Sequence, residues 1–243
     1  MIRVLLVLAL ALPLVAQGAA LRAVEVAPAL TPDARPDARP EGGARAGTEV
    51  SICYNYGCVR EDTVQFHDAM LVRLGERLAS ARTAAEERER LAEAIGRLYR
   101  VAGTQTPVGA DRAGNFLDAE AHGRMDCIDH STSTTRLLEL VEGRGGLRFH
   151  RVVEPARRTR LILQHFSAVI EVLTAEERIA RLPPGEALAG CNCTEDGQVI
   201  EAADGADRPG ERYVVDSWFV DNGEPAVVLP LAEWLNGGGP NVQ

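Results

Sequence analysis

Apolar residues recur at helical spacing twice in the first half of the chain. Val64, Met70, Leu71, Leu74 and Leu78 fall on one face of residues 62–81, and Leu91, Ile95 and Leu98 on one face of residues 83–101, with charges opposite. Both segments read as amphipathic helices, and the run EERERLAEAIGRLYR in the second reads as a solvated helix face. A third helix is predicted around Leu137, Leu138, Leu140 and Val141. Asp126 stands where its N-cap belongs, Asp129 sits three residues on in a capping-box-like position, and Gly143 and Gly145 close it. Beyond this helix the period drops to two. Residues 147–153, 165–173, 212–220 and 226–229 read as strands, the last two joined at Asp221-Asn222-Gly223 as a hairpin. Pro183-Pro184-Gly185, Asp196-Gly197 and Pro209-Gly210 mark an inserted loop region at about 174–211.

The two ends of the chain differ from this middle. Met1-Ile2-Arg3, the apolar run from Val4 to Val15 and the small residues through Ala20 have the form of a secretory signal peptide at 1–20. The apolar run is shorter than the roughly 20 residues needed to cross a bilayer, so stable membrane insertion is not expected. Residues 21–50 include the imperfect repeat TPDARPDARPEGGARAGT, which has no apolar period and predicts a disordered leader. Residues 51–243 then form a single domain of about 190 residues, ordinary in size.

Composition narrows the chemistry. Hydrophobic residues make up 46% and charged ones 25%, enough to bury a real core. The formal charge is −9, and no basic stripe after residue 60 runs uninterrupted by acids, which argues against a nucleic-acid partner. All 26 basic residues are Arg, so Schiff-base and phosphate-loop chemistry that requires Lys is excluded.

An exported chain meets an oxidising compartment, periplasmic or extracellular, and this one has five cysteines: Cys53, Cys58, Cys127, Cys191 and Cys193. The odd count leaves one free, paired elsewhere, or reserved for chemistry. Cys53 and Cys58 flank a turn-rich loop that a disulfide could close. Cys191 and Cys193 lie in a Gly/Asn/Thr loop and could pair with the first two or with each other. Zinc on these four is the alternative, but their spacings are not the usual two-residue knuckle and the compartment favours oxidation, so no metal or other cofactor is assigned.

Cys127 falls in the first turn of the third predicted helix, where free N–H groups and the helix dipole favour a thiolate. Covalent catalysis also needs a base and a group that orients it. His165 opens the face opposite apolar Phe166, Ala168, Ile170 and Val172. Asp216 shares a face with Val214, Trp218 and Val220, where a carboxylate needs a partner. Asp126 and Asp129 would raise the Cys127 pKa unless helix N–H groups occupy their oxygens. His130, on the same helix face as Cys127, is the second candidate base and has no acid in view besides Asp126 and Asp129. His67, His122 and His150 read as structural or exposed, and Trp218 and Trp234 as core or cleft walls.

The runs MDCIDHSTSTTRLLELVEGRGGLRFHRVV, HFSAVIEV and YVVDSWF together resemble the transglutaminase-like branch of the papain-type fold, over about residues 120–235. The resemblance implies an α+β fold in which N-terminal helices and a Cys-bearing helix pack on an antiparallel sheet. It also implies that Cys127 is the nucleophile, His165 the general base and acid, and Asp216 the residue that orients it. The chain also resembles a group of exported bacterial proteins that share a Cys-Tyr-x-Tyr-x-Cys-like start and the DSWFVDNGEPAVVLPLAEW ending. The expected activity is that of a thiol-dependent amide or peptide-bond hydrolase, or acyl transferase, acting on peptide or protein substrates, cell-wall peptides among them. The alternative is a catalytically silent, disulfide-stabilised binding module of the same fold. In papain-like enzymes an upstream side chain often helps hold the oxyanion; Arg124 and His122 are nearest in sequence.

Overall fold

The computed structural model describes residues 47–114, 118, 120–160, 162–182 and 207–240. The predicted signal segment, most of the leader, and most of the inserted region with Cys191 and Cys193 lie outside the described residues. In chain order the elements are β1 (Gly47–Tyr54), β2 (Arg60–His67), α1 (Asp68–Ala79), α2 (Ala84–Gln105), a 3-10 turn at Pro107–Ala110, α3 (Cys127–Gly143), β3 (His150–Arg160), β4 (Leu163–Val172), α4 (Ala175–Ala180), β5 (Arg212–Asp216), β6 (Val227–Pro230) and α5 (Leu231–Leu235). The architecture is α+β. β1 and β2 pair as one antiparallel ribbon, and β3-β4-β5-β6 form an antiparallel sheet in sequential order.

Several boundaries differ from the periodicity. Residues 62–67 are strand rather than helix: Val64 and Phe66 are buried, Gln65 and His67 are exposed, and the strand pairs with β1 through Val50 and Thr48. A period of two therefore ends at His67, and the helical period begins at Asp68. β1 likewise begins at Gly47, inside the segment expected to be leader. The strand expected over 212–220 stops at Asp216, and residues 217–226 make a longer connection to β6 than a two-residue hairpin turn. β3 starts at His150 and runs to Arg160, with a register shift between Val153 and Ala156. Arg144 caps α3, and Gly145 beyond it turns the chain at φ +72°, a conformation glycine adopts without strain.

The sheet separates two clusters. On one face Val152, Ala168, Ile170, Val172 and Val215 meet Leu91, Ile95 and Leu98 of α2 and Leu137 and Leu138 of α3. Each fully buried Leu or Ile here contributes about 1.5–3 kcal/mol. On the other face Val169 and Val214 meet Trp218, Phe219 and Trp234, with Cys127 packed at the margin. Polar groups tie these layers together. The Glu87 carboxylate, wholly buried in α2, accepts from the backbone N–H groups of Arg148, Phe149 and His150 and from His150 Nδ1 at 2.8 Å. The charge run is thus not a purely solvated face: Glu87 points inward and pins the start of β3 to α2.

Candidate active site

Asp216 ends β5 with 1% of its surface exposed. Its Oδ2 accepts from His165 Nε2 at 2.7 Å and from the Trp234 indole Nε1 at 2.9 Å, and its Oδ1 accepts from the Trp218 backbone N–H at 3.2 Å. A buried carboxylate survives when its lone pairs are taken in this way. The His165 ring lies among Trp218, Phe219 and Trp234, with centroid separations of 4.8, 5.4 and 5.5 Å. These rings keep water from the imidazole–carboxylate bond. Because Nε2 faces Asp216, Nδ1 is the nitrogen left to exchange a proton with another group.

Cys127 is the first residue of α3, fixed there by a capping box. Asp126 Oδ1 accepts from the N–H groups of Ile128 and Asp129 at 3.0 and 2.9 Å, and Asp129 Oδ2 accepts from the Asp126 N–H at 3.1 Å. The half-buried Cys127 thiol meets the backbone on both sides of His165, with Sγ 3.8 Å from the Gln164 carbonyl oxygen and within reach of the Phe166 amide. Of the predicted site residues, His165 and Asp216 are in direct contact, and Cys127 lies against the strand segment that carries His165. Burial pushes the thiol up to about 11; the Phe166 amide pulls it down, while Asp126 and Asp216 push it further up.

The capping carboxylates have partners beyond the helix. Cys53 and Cys58 form a disulfide that closes the β1–β2 loop, and Cys127 is the free cysteine among the described residues. Asn55, Tyr56, Gly57 and Cys58 all have φ between 58° and 67°. In this left-handed turn the backbone N–H groups converge as an anion-binding nest. Tyr56 and Cys58 donate to Asp129 at 2.7 and 2.5 Å, and Gly57 donates to Asp126 Oδ2 at 3.0 Å. The disulfide loop therefore braces the helix start that presents Cys127. Cys53, Cys58 and Glu61 also cluster as the atoms of a metal site would, but two of the three are bonded sulfurs. The four-cysteine zinc alternative loses two ligands in the same way.

The remaining histidines sort by partner. His130 is buried, with Nε2 3.0 Å from Asp111 Oδ2 and Nδ1 2.8 Å from Ser217 Oγ, so it has an acid that lies far from it in sequence. Thr134 bonds Ser217 at 2.8 Å and Tyr99 bonds Thr134 at 2.9 Å, extending a closed polar network under α3. Sealed from solvent, this Ser-His-Asp set holds Ser217, and with it the end of β5. His150 is likewise paired to Glu87, an acidic partner that sequence spacing did not reveal. His122 is exposed, near Asn55 and edge-on to Tyr54. Arg124 is drawn to Asp118 and the Ala110 carbonyl. The missed contributor is Trp234: an aromatic followed by a Gly-rich tail gave no sign that its indole would donate to Asp216. Compared with known proteins, the chain matches no family model, no curated protein and no solved structure.

Proposed function

We propose that the protein is an exported thiol-dependent amide or peptide-bond hydrolase or acyl transferase of transglutaminase-like, papain-type character. The observation that carries this reading is the 2.7 Å His165–Asp216 bond inside its aromatic enclosure, with the Cys127 thiol against the backbone on either side of that histidine. In the reaction His165 Nδ1 takes the thiol proton. Sγ then bonds to the substrate carbonyl carbon, the C–N bond breaks, and the leaving amine takes the proton from His165. Water or an acceptor amine, deprotonated by the same nitrogen, attacks the thioester and releases Cys127. Asp216 holds the imidazole in the Nε2–H tautomer and stabilises its protonated form. The Cys127 backbone N–H at the helix start is one donor for the tetrahedral oxyanion. The N-terminal signal and the closed disulfide support export, and cell-wall peptides fit a small thiol hydrolase working there.

The thiol's upward displacement favours a second reading, a binding module whose sulfur stays protonated. Alkylation of the native protein followed by peptide mapping separates the two. An enzyme labels at Cys127 with iodoacetamide well below pH 8, and Cys127→Ala removes the label while leaving the fold intact. Labelling of Cys127 only after denaturation would identify the silent module.

A further inference from the structure

Arg158 stands directly opposite His165 in the β3–β4 register, so the two side chains leave the same face of the sheet. They share aromatic neighbours. The Arg158 guanidinium carbon lies 4.6 Å above the Trp234 ring and 5.9 Å from the Phe219 ring, the two rings that also flank His165. Its NH1 donates to the carbonyl oxygens of Trp234 at 2.6 Å and Gly238 at 2.8 Å. These bonds fix the plane of the fork. Nε and NH2 carry no hydrogen bond to a described residue.

Like Arg100 and Arg148, Arg158 bonds backbone carbonyls and no carboxylate, but it alone of these three stands opposite His165 in the sheet register. Arg88, Arg136, Arg151 and Arg212 each have a carboxylate within 4 Å, whereas no carboxylate of the described residues pairs with Arg158. Half-burial disfavours its charge and Asp216 favours it, while Arg160, two residues along the same strand, adds a second positive charge. A guanidinium stays protonated regardless, so it presents a fixed and partly desolvated cation. With NH1 taken by two carbonyls, the Nε–NH2 edge of a planar cation is left open on the face of the sheet that carries His165.

We propose that Arg158 is the anion subsite of the reactive centre, selecting substrates that carry a carboxylate close to the amide under attack. This inference rests on the reading of Cys127 as a nucleophile. The recognised chemistry is a carboxylate, supplied by a chain terminus or by an acidic side chain.

Alkylation of Cys127 tests it without a known substrate, since Sγ displaces iodide from a carboxylate reagent or from its neutral amide. In the wild-type protein iodoacetate should react faster relative to iodoacetamide than in Arg158→Gln, by about tenfold in the ratio of rates. Arg158→Lys, which keeps the charge and loses the fork, should fall between. The ratio is measured above the pH at which the imidazole is neutral, so that an imidazolium does not supply the preference, and thermal melts verify that the variants are folded. N-acetylalanine, with a free terminal carboxylate, and N-acetylaspartic acid α-amide, with a free side-chain carboxylate, then serve as protecting probes. Protection by the first in wild type and not in Arg158→Gln assigns a terminal carboxylate, and by the second an acidic side chain. Equal ratios in wild type and Arg158→Gln, with neither probe protecting, overturn the subsite while leaving the nucleophile in place. Failure of both reagents on native Cys127 overturns the thiol-enzyme reading and the subsite with it.

Discussion

Asp216→Asn changes one charge and almost no volume, so its consequences follow from hydrogen-bond accounting alone. The carboxylate accepts three N–H groups, two at Oδ2 and one at Oδ1. An amide has one acceptor oxygen. Placed where Oδ2 was, that oxygen keeps His165 and Trp234, but its NH2 then faces the Trp218 N–H, donor against donor. The flipped amide faces two donors and is worse. One buried N–H is left unsatisfied at about 1–3 kcal/mol, and two charge-assisted bonds become neutral ones; relief from burying a charge returns part of this. The net expectation is a loss of about 2 kcal/mol, or about 4–8 °C in Tm for a domain of this size. The asparagine oxygen still accepts from His165 Nε2–H, but a neutral amide no longer stabilises the protonated imidazole, so the Cys127 alkylation rate near neutral pH should fall about a hundredfold or more. Thermal or urea unfolding gives the first quantity, and the rate of iodoacetamide labelling at Cys127 gives the second. A variant as stable as wild type and alkylated as fast would refute the argument that Asp216 supports His165.

Other expectations concern the supports of the site. Glu87→Ala strands three backbone N–H groups and the His150 ring in a sealed interior, and urea unfolding should show a loss of about 3–5 kcal/mol; an unchanged midpoint contradicts the inward role of Glu87. Cys58→Ser opens a loop of sequence separation 5, with an expected loss of about 2 kcal/mol, and frees the N–H groups that Asp126 and Asp129 accept. Faster amide exchange at Ile128 and Asp129 is the accompanying signature, and unchanged exchange there means the loop does not brace α3. Burial, with Asp126 beside it, raises Asp129 to about 6. A carboxyl so raised binds its proton more tightly in the native state, so its stabilising contribution is present below about pH 4 and is lost as pH rises through about 6. Asp126→Asn should bring the Asp129 midpoint down in a carboxyl NMR titration, and an unmoved midpoint excludes the like-charge cause.

Local rules made α3 and the interior of β4 legible. Asp126 and Asp129 announce a helix start whatever surrounds them, and the apolar positions Phe166, Ala168, Ile170 and Val172 mark one face of a strand, though in the fold residues 167–172 are buried on both faces. The order of Cys127, His165 and Asp216 was visible for the same reason, since each sits at an end of such an element. β2 was hidden because two apolar positions, Val64 and Phe66, merge with the helical pattern that follows them. Glu87 was hidden because a charge run gives no sign of which member turns inward. Asp111 and Trp234 were hidden because their partners, His130 and Asp216, are brought close by tertiary packing rather than by spacing. In β3 the break in register between Val153 and Ala156 resets the alternation, so that only the folded chain shows Arg158 on the face of His165.

The central claim is that His165 activates Cys127. The most direct measurement is the pH dependence of Cys127 alkylation by iodoacetamide in the wild type and in His165→Ala. The account predicts that the wild type is labelled well below pH 8 and faster than the variant throughout, while the variant rises about tenfold per pH unit as an isolated thiol does. A wild-type profile that itself climbs toward about 11 and superimposes on that of His165→Ala would contradict it.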